Sequence, residues 1–228
     1  MTESLRFQGH GWLALLGGGE FSFGETEDAD RAWLEKAGEG VVGFLPAASG
    51  SIDYGEHFAE YLDEVFDREL EVVPVYRPRD ARRGRNRARI EDCAAVYLGG
   101  GVTDQLLEAI AHSAVADALR RLVEGGGVVA ATAAAAQACG EWARALRGEG
   151  FLEGLRWLAG GVVETNFDPG HDRRLRRLLQ RPGVRWGLGI PAGSAVLLGP
   201  EGAVEVVGTA YMVRVADGEF EVLGQGAG

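Results

Sequence analysis

Between Gly125 and Gly140 the chain reads GGGVVAATAAAAQACG: an apolar, strand-compatible run, then small residues, then a helix-compatible tract. Val128-Val129-Ala130 predicts a buried strand. A strand-to-helix turn of this composition is where a G-x-S-x-G elbow pushes a serine hydroxyl into solvent, because so sharp a bend admits only small neighbours. Here the five positions read Ala131, Thr132, Ala133, Ala134 and Ala135. Ala133 occupies the serine position, and a methyl group cannot attack a carbonyl. Thr132 offers a hydroxyl one residue away, but a neighbouring position at such a turn points elsewhere, and a bond to backbone is the simpler expectation. Cys139 reads as a small buried hydrophobe. His57 and His112 fall on predicted helices without H-x-x-x-H spacing, and Cys93 and Cys139 are not paired, so no metal site is expected.

The elements around this turn alternate. Apolar runs predict strands over 12–16, 41–45, 70–73 and 94–98, separated by helical spacing over 28–37 and 54–66. Two more helices, 104–111 and 115–123, lead to the elbow strand. Strands spaced by helices of this length indicate right-handed βαβ units, hence an α/β protein: a three-layer, doubly wound, mostly parallel sheet flanked by helices. Asp168-Pro169 predicts a helix start, with Asp as cap and Pro at the first helical position. That helix runs through Leu175, Leu178 and Leu179 and stops at Pro182. Short strands around Gly-rich turns follow, over 184–188, 195–198, 204–207, 211–215 and 220–223, and read as C-terminal β-hairpins extending one edge of the sheet. With no long linker and no fixed repeat, residues 1–228 are expected to form a single domain.

The order of these features resembles the dipeptidase E and cyanophycinase family of serine peptidases, which share the fold of class I glutamine amidotransferases. The matching pieces begin with Leu16-Gly17-Gly18-Gly19-Glu20 and Phe44-Leu45-Pro46-Ala47-Ala48-Ser49. They continue with Tyr97-Leu98-Gly99-Gly100-Gly101-Val102-Thr103-Asp104, the elbow at Ala133, Phe151-Leu152-Glu153-Gly154-Leu155, Asn166-Phe167 and Gly187-Leu188-Gly189-Ile190. The resemblance implies a nucleophile at Ala133 and a catalytic His at Asn166. It also implies an acid between them near Glu149 or Glu153, and oxyanion or binding positions at Gly100, Gly101 and Ala134. In this chain the first two are an alanine and an amide, neither of which can perform acyl transfer. Ala131 and Ala135 also replace both elbow glycines, and so many departures together point to natural loss of activity rather than one engineered change. The expectation is therefore a pseudoenzyme that keeps a cleft for a small peptide or acidic ligand. The alternative is a hydrolase of the same family with relocated residues, for which Thr132, His171 and Glu149 must converge.

Composition narrows the partners. A net charge of −11 disfavours nucleic acid, and no stretch is long and apolar enough to span a bilayer. Without a basic-then-apolar N-terminal segment, and with two cysteines, the expected location is the cytoplasm. Gly17-Gly18-Gly19 fails the dinucleotide spacing G-x-G-x-x-G, because Ser22 stands at its last position, so no cofactor is expected. The arginines from Arg77 to Arg89 could meet phosphates or an acidic partner, but read more simply as a solvated loop and helix start. Apolar residues around Trp142 and Trp157 fit either core or a homodimer surface.

Overall fold

The computed structural model describes residue 5 and residues 9–148 and 150–224. Five strands run parallel: β1 (Trp12–Leu16), β2 (Val42–Leu45), β3 (Leu70–Val72), β4 (Ala95–Leu98) and β5 (Val128–Thr132). A short pair, β6 (Trp142–Arg144) and β7 (Phe151–Glu153), follows, then β8 (Gly161–Thr165), β9 (Trp186–Ile190), β10 (Ala195–Leu198) and β11 (Val204–Val207). The last strands are β12 (Ala210–Arg214) and β13 (Phe220–Leu223). The larger sheet has the order β11-β10-β1-β5-β4-β2-β3, with β10 and β11 as an antiparallel hairpin on its β1 side. The helices are α1 (Glu27–Ala37), α2 (Ile52–Phe66), α3 (Pro78–Ala81), α4 (Gly84–Glu91), α5 (Thr103–Ile110), α6 (Ala114–Glu124), α7 (Ala134–Ala138) and α8 (Arg173–Leu179).

The central strands are apolar along their whole length because both faces of the sheet are covered. In β1, Ala14 and Leu16 face the core that holds Trp33 of α1 and Phe58 of α2, while Leu13 and Leu15 face the one that holds Leu106, Ile110 and Leu119 of α5 and α6. The same alternation separates Val128 and Ala130 from Val129 and Ala131 in β5. Phe58 is fully buried and stacks on Tyr97 at 4.2 Å between ring centroids. Burying a ring of this size stabilises the fold by roughly 2–3 kcal/mol. With neither face of the central strands open to water, polar groups gather at the loops at the carboxyl ends of these strands.

The C-terminal strands do not all extend one edge. Only β10 and β11 join the larger sheet, whereas β13-β12-β9-β8 form a separate four-stranded sheet. One face of this second sheet joins the core below α7, and α8 covers Val162, Phe167 and Val213 on the other. The alternating strand pattern shows that a face is buried but not which sheet buries it. Asp168 does cap a helical start, accepting from Gly170 N–H at 2.8 Å, but the first turn, Pro169–His171, is 3-10 and the α-helix begins only at Arg173. The arginine segment, expected as a solvated loop and helix start, folds as two short helices, α3 and α4. Trp142 and Trp157 are half-buried, packed against the cores, with the Trp142 indole N–H donating to Pro182 O at 2.9 Å.

One buried charge stands out. Asp30 of α1 accepts hydrogen bonds from Thr26 Oγ1 (2.7 Å), Trp33 Nε1 (2.9 Å) and Tyr61 Oη (3.1 Å). Burial outweighs these three donors and pushes its carboxyl up to about 6. Below about pH 4 the group is protonated in both folded and unfolded chains. As pH rises through 6, only the folded chain must carry a buried carboxylate, so the stability present at low pH is lost. Chemical denaturation of the wild type and Asp30→Asn should therefore diverge between pH 4 and 7, with the wild type losing about 3 kcal/mol relative to the variant. Parallel pH profiles would contradict this account.

Candidate active site

Three successive carbonyls at the end of β1 organise the site. Leu16 O accepts from Ala133 N–H at 3.1 Å, Gly17 O from Asn166 N–H at 2.8 Å and Gly18 O from Gly193 N–H at 2.9 Å. The elbow, the residue after β8 and the turn after β9 are thus tied to one strand end. Gly18 has φ 99°, and a Cβ there would come within 3.1 Å of the Asn166 amide. Only glycine meets both demands without strain.

Ala133 has φ 49° and ψ −112°, outside both helical regions and unusual for a residue with a Cβ. The strand-to-helix turn is therefore sharp and strained, with a methyl group at its apex. Its neighbours are small because they are enclosed: Ala134, Ala135, Ala136 and Ala138 of α7 are buried, and Gln137 Nε2 donates to Thr165 Oγ1 at 2.8 Å, locking α7 to β8. Asn166 also has positive φ, 48°, which asparagine tolerates better than most residues.

Ala133, Asn166, Thr132 and Gly100 line one cleft of about 760 Å³. Opposite them stand groups to which the sequence reading gave no role at this site: Glu20, Ser22 and Glu25 from the loop after β1, and Ser51, Asp53, Tyr54 and His57 from the start of α2. The spacing of Asp53, Tyr54 and His57 is the available signal, since positions three and four apart share a helix face. Ser51 sets that face by capping α2, its Oγ accepting from Tyr54 N–H at 3.4 Å. The Tyr54 ring is edge-on to Phe44, and its hydroxyl accepts a long hydrogen bond, 3.4 Å, from Gly100 N–H. Burial raises the Tyr54 hydroxyl above its ordinary range, so it stays protonated. The expected oxyanion donor at Gly100 is thus already directed at Tyr54. Ala134 N–H lies in the first turn of α7, where no intrahelical acceptor is available.

Other expected residues lie elsewhere. The His171 side chain is 86% exposed, held by Asp168 with Nδ1 2.6 Å from Oδ2, and does not line the cleft, so Thr132 and His171 do not converge. The local Asp168 contact is what fixes it outward. Gly101 is not a cleft residue either: at φ 144° it packs on the backbone of Ala48 and Ser49, 2.5 Å from Ala48 O to where a Cβ would stand. Glu149 lies outside the described residues, and Glu153 is exposed on β7, away from the cleft. A buried carboxylate does occur between elbow and Asn166, at Glu164, but it faces Arg144 (3.6 Å) and Arg174 (4.0 Å) rather than the cleft. Burial raises its carboxyl, against the pull of both arginines.

The family model for peptidase family S51 matches residues 13–198. The chain belongs to peptidase family S51. Among relatives, a cyanophycinase from Synechococcus elongatus is 25% identical over 217 residues, covering 88% of this chain and 66% of its own length. The S51 chain thus spans slightly under two-thirds of that relative. A cyanophycinase from Geminocystis herdmanii is 25% identical, with 91% of this chain and 80% of its own length covered. Peptidase E of Streptomyces coelicolor is 31% identical over 103 residues, 42% of this chain and 40% of its own. The fold is shared with the crystal structure of a peptidase from an acI-B1 Actinobacterium (TM-score 0.78, 21% identity, 96% and 97% of the two chains covered).

The S51 elbow stores strain at Ala133, of order 1–3 kcal/mol for a non-glycine residue in such a region. Ala133→Gly should therefore raise stability by about 1 kcal/mol in urea unfolding, opposite in sign to the usual effect of an added glycine. A loss of stability would show that Ala133 is not strained.

Proposed function

We propose that this S51 chain binds a small peptide in the cleft over Ala133 without hydrolysing it. The observation that carries the reading is the methyl group of Ala133 at the apex of a retained elbow, with the amide of Asn166 beside it in the same cleft. An amide has no basic nitrogen to take a proton, and alanine has no nucleophile to activate. The polar cleft that a hydrolytic relative needs for substrate remains, so binding survives where chemistry does not.

The lining also favours one kind of ligand. Glu20, Glu25 and Asp53 face the cleft, while no arginine or lysine does. An acidic ligand meets three carboxylates. A peptide presenting its α-amino group or a cationic side chain meets complementary charge, with Tyr54, Thr132 and Asn166 as hydrogen-bonding partners.

Two measurements test the reading. Incubated with Asp-X dipeptides, cyanophycin-like polymer and a fluorophosphonate probe, the wild-type chain is expected to show neither hydrolysis nor labelling. Labelling that disappears in Thr132→Ala would overturn the proposal in favour of a relocated nucleophile. In titration calorimetry, a short peptide with a free amino terminus should bind, and Glu20→Gln and Asp53→Asn should each weaken it by roughly two- to fivefold. Equal binding of the N-acetylated peptide would refute the assigned charge complementarity.

A further inference from the structure

A second concave site lies on the other side of the segment Ser49–Asp53. Ser51 and Asp53 face the cleft described above, whereas Ser49, Gly50 and Ile52 line a separate groove of about 730 Å³. Into this groove converge Arg77, Arg79, Arg83, Arg85 and Arg147, against only two carboxylates, Asp80 and Glu108. A local excess of positive charge in a chain of net charge −11 is the opposite of its average surface.

Asp80 serves the framework and offsets only part of the groove's positive charge. It is buried, accepts from Tyr76 N–H at 3.3 Å and pairs with Arg83 at 3.2 Å and Arg79 at 3.9 Å. Arg77 and Arg85 form no ion pair with a carboxylate among the described residues. Neighbouring arginines on α4 behave differently: Arg87 pairs with Glu91 at 3.5 Å and Arg89 with Glu71 at 2.9 Å. The helix therefore has a neutralised side and an unneutralised side, and the unneutralised one faces the groove. Arg83 and Arg85 also stand at the N-terminal end of α4, where the helix dipole is positive, with no acidic residue in the first turn. Local stability alone disfavours that placement, and a bound anion reverses the sign of the argument.

The groove is rigidly framed. Asn86, fully buried, donates from Nδ2 to Pro74 O (3.2 Å) and Asp80 O (3.0 Å), fixing the turn that carries Arg77 and Arg79. Asp104 accepts from Leu146 N–H (2.7 Å) and Arg147 N–H (3.1 Å), fixing the loop that brings Arg147 in. Arginines carried on such a frame present guanidinium groups, whose paired N–H donors match the oxygens of phosphate. Beside them the walls are apolar and flat, formed by Pro74, Tyr76, Pro78 and the 63%-exposed Ile52.

We propose that this groove binds an organic polyphosphate of nucleotide size, its phosphates on Arg77, Arg83, Arg85 and Arg147 and its organic body against Tyr76 and Ile52. This site goes beyond the peptide cleft and uses none of the cleft's residues.

The probes are ATP, inorganic tripolyphosphate and citrate, each titrated into the full chain by calorimetry at low and moderate salt without added metal. ATP is expected to bind saturably with one-to-one stoichiometry, more tightly than tripolyphosphate, and more weakly as salt rises. The double variant Arg77→Glu/Arg85→Glu should lose roughly tenfold or more in ATP affinity. Its thermal unfolding should match the wild type's, because neither side chain is in an ion pair, and its cleft should still bind the peptide. Absence of saturable ATP binding, or unchanged affinity in the double variant, overturns the proposal. Citrate binding as tightly as ATP overturns the phosphate assignment in favour of a polycarboxylate. If the double variant unfolds early, Arg77→Gln alone supplies the comparison, with a smaller loss of affinity expected and an unchanged affinity counting against the site.

Discussion

Three consecutive acceptors, the carbonyls of Leu16, Gly17 and Gly18, each receive an N–H from a different part of the chain: Ala133, Asn166 and Gly193. Through them the end of β1 becomes a template on which the elbow, the residue after β8 and the turn after β9 are set in a fixed relation. Hydrogen bonds of this kind contribute only about 1 kcal/mol each, but their geometry leaves little freedom to the segments they join. The template can act because β1 is central in the larger sheet, flanked by β5 and β10 and buried on both faces. The same burial leaves the strand ends as the place where polar groups can gather. A strained Ala133 persists there because the surrounding sheet and the buried α7 over-determine its backbone.

This template holds the turn at Ala133 by its backbone. Its φ, ψ and hydrogen bond to Leu16 O do not depend on which small side chain stands there. Asn166 likewise keeps the positive φ demanded by its place above Gly18. The acidic residues Glu20, Glu25 and Asp53 border the same cleft.

Charge is partitioned over a short distance. The segment Ser49–Asp53 turns carboxylates toward one cavity and borders, on its other side, a groove framed by arginines. An overall charge of −11 conceals this division, because net charge sums over faces that never meet the same ligand. The buried Asp30, beneath the aromatic cluster that includes Tyr61 and Phe58, is a third electrostatic environment, in which desolvation outweighs three donated hydrogen bonds.

Much of the architecture was legible in the chain itself. Apolar runs without alternation identified the parallel strands, since a strand buried on both faces must be apolar throughout. The small residues after Val128-Val129 located a strand-to-helix turn, and the order of motifs identified the family. Partner choice was not legible: β10 and β11 join one sheet and β9, β12 and β13 another, because period-two patterning reports burial and not the neighbour. His171 was a candidate by proximity in sequence, yet a single contact with Asp168 holds it in solvent. Asp53, Tyr54 and His57 sit on an ordinary amphipathic helix, and only the packing of α2 over Phe44 of β2 and Tyr97 of β4 makes one of its faces a cleft wall. The sequence by itself determined that an alanine and an asparagine stand at positions 133 and 166, because identity is a local property. Tertiary structure alone decided which groups stand around them, because cavities are made by segments distant in the chain and brought together by shared burial.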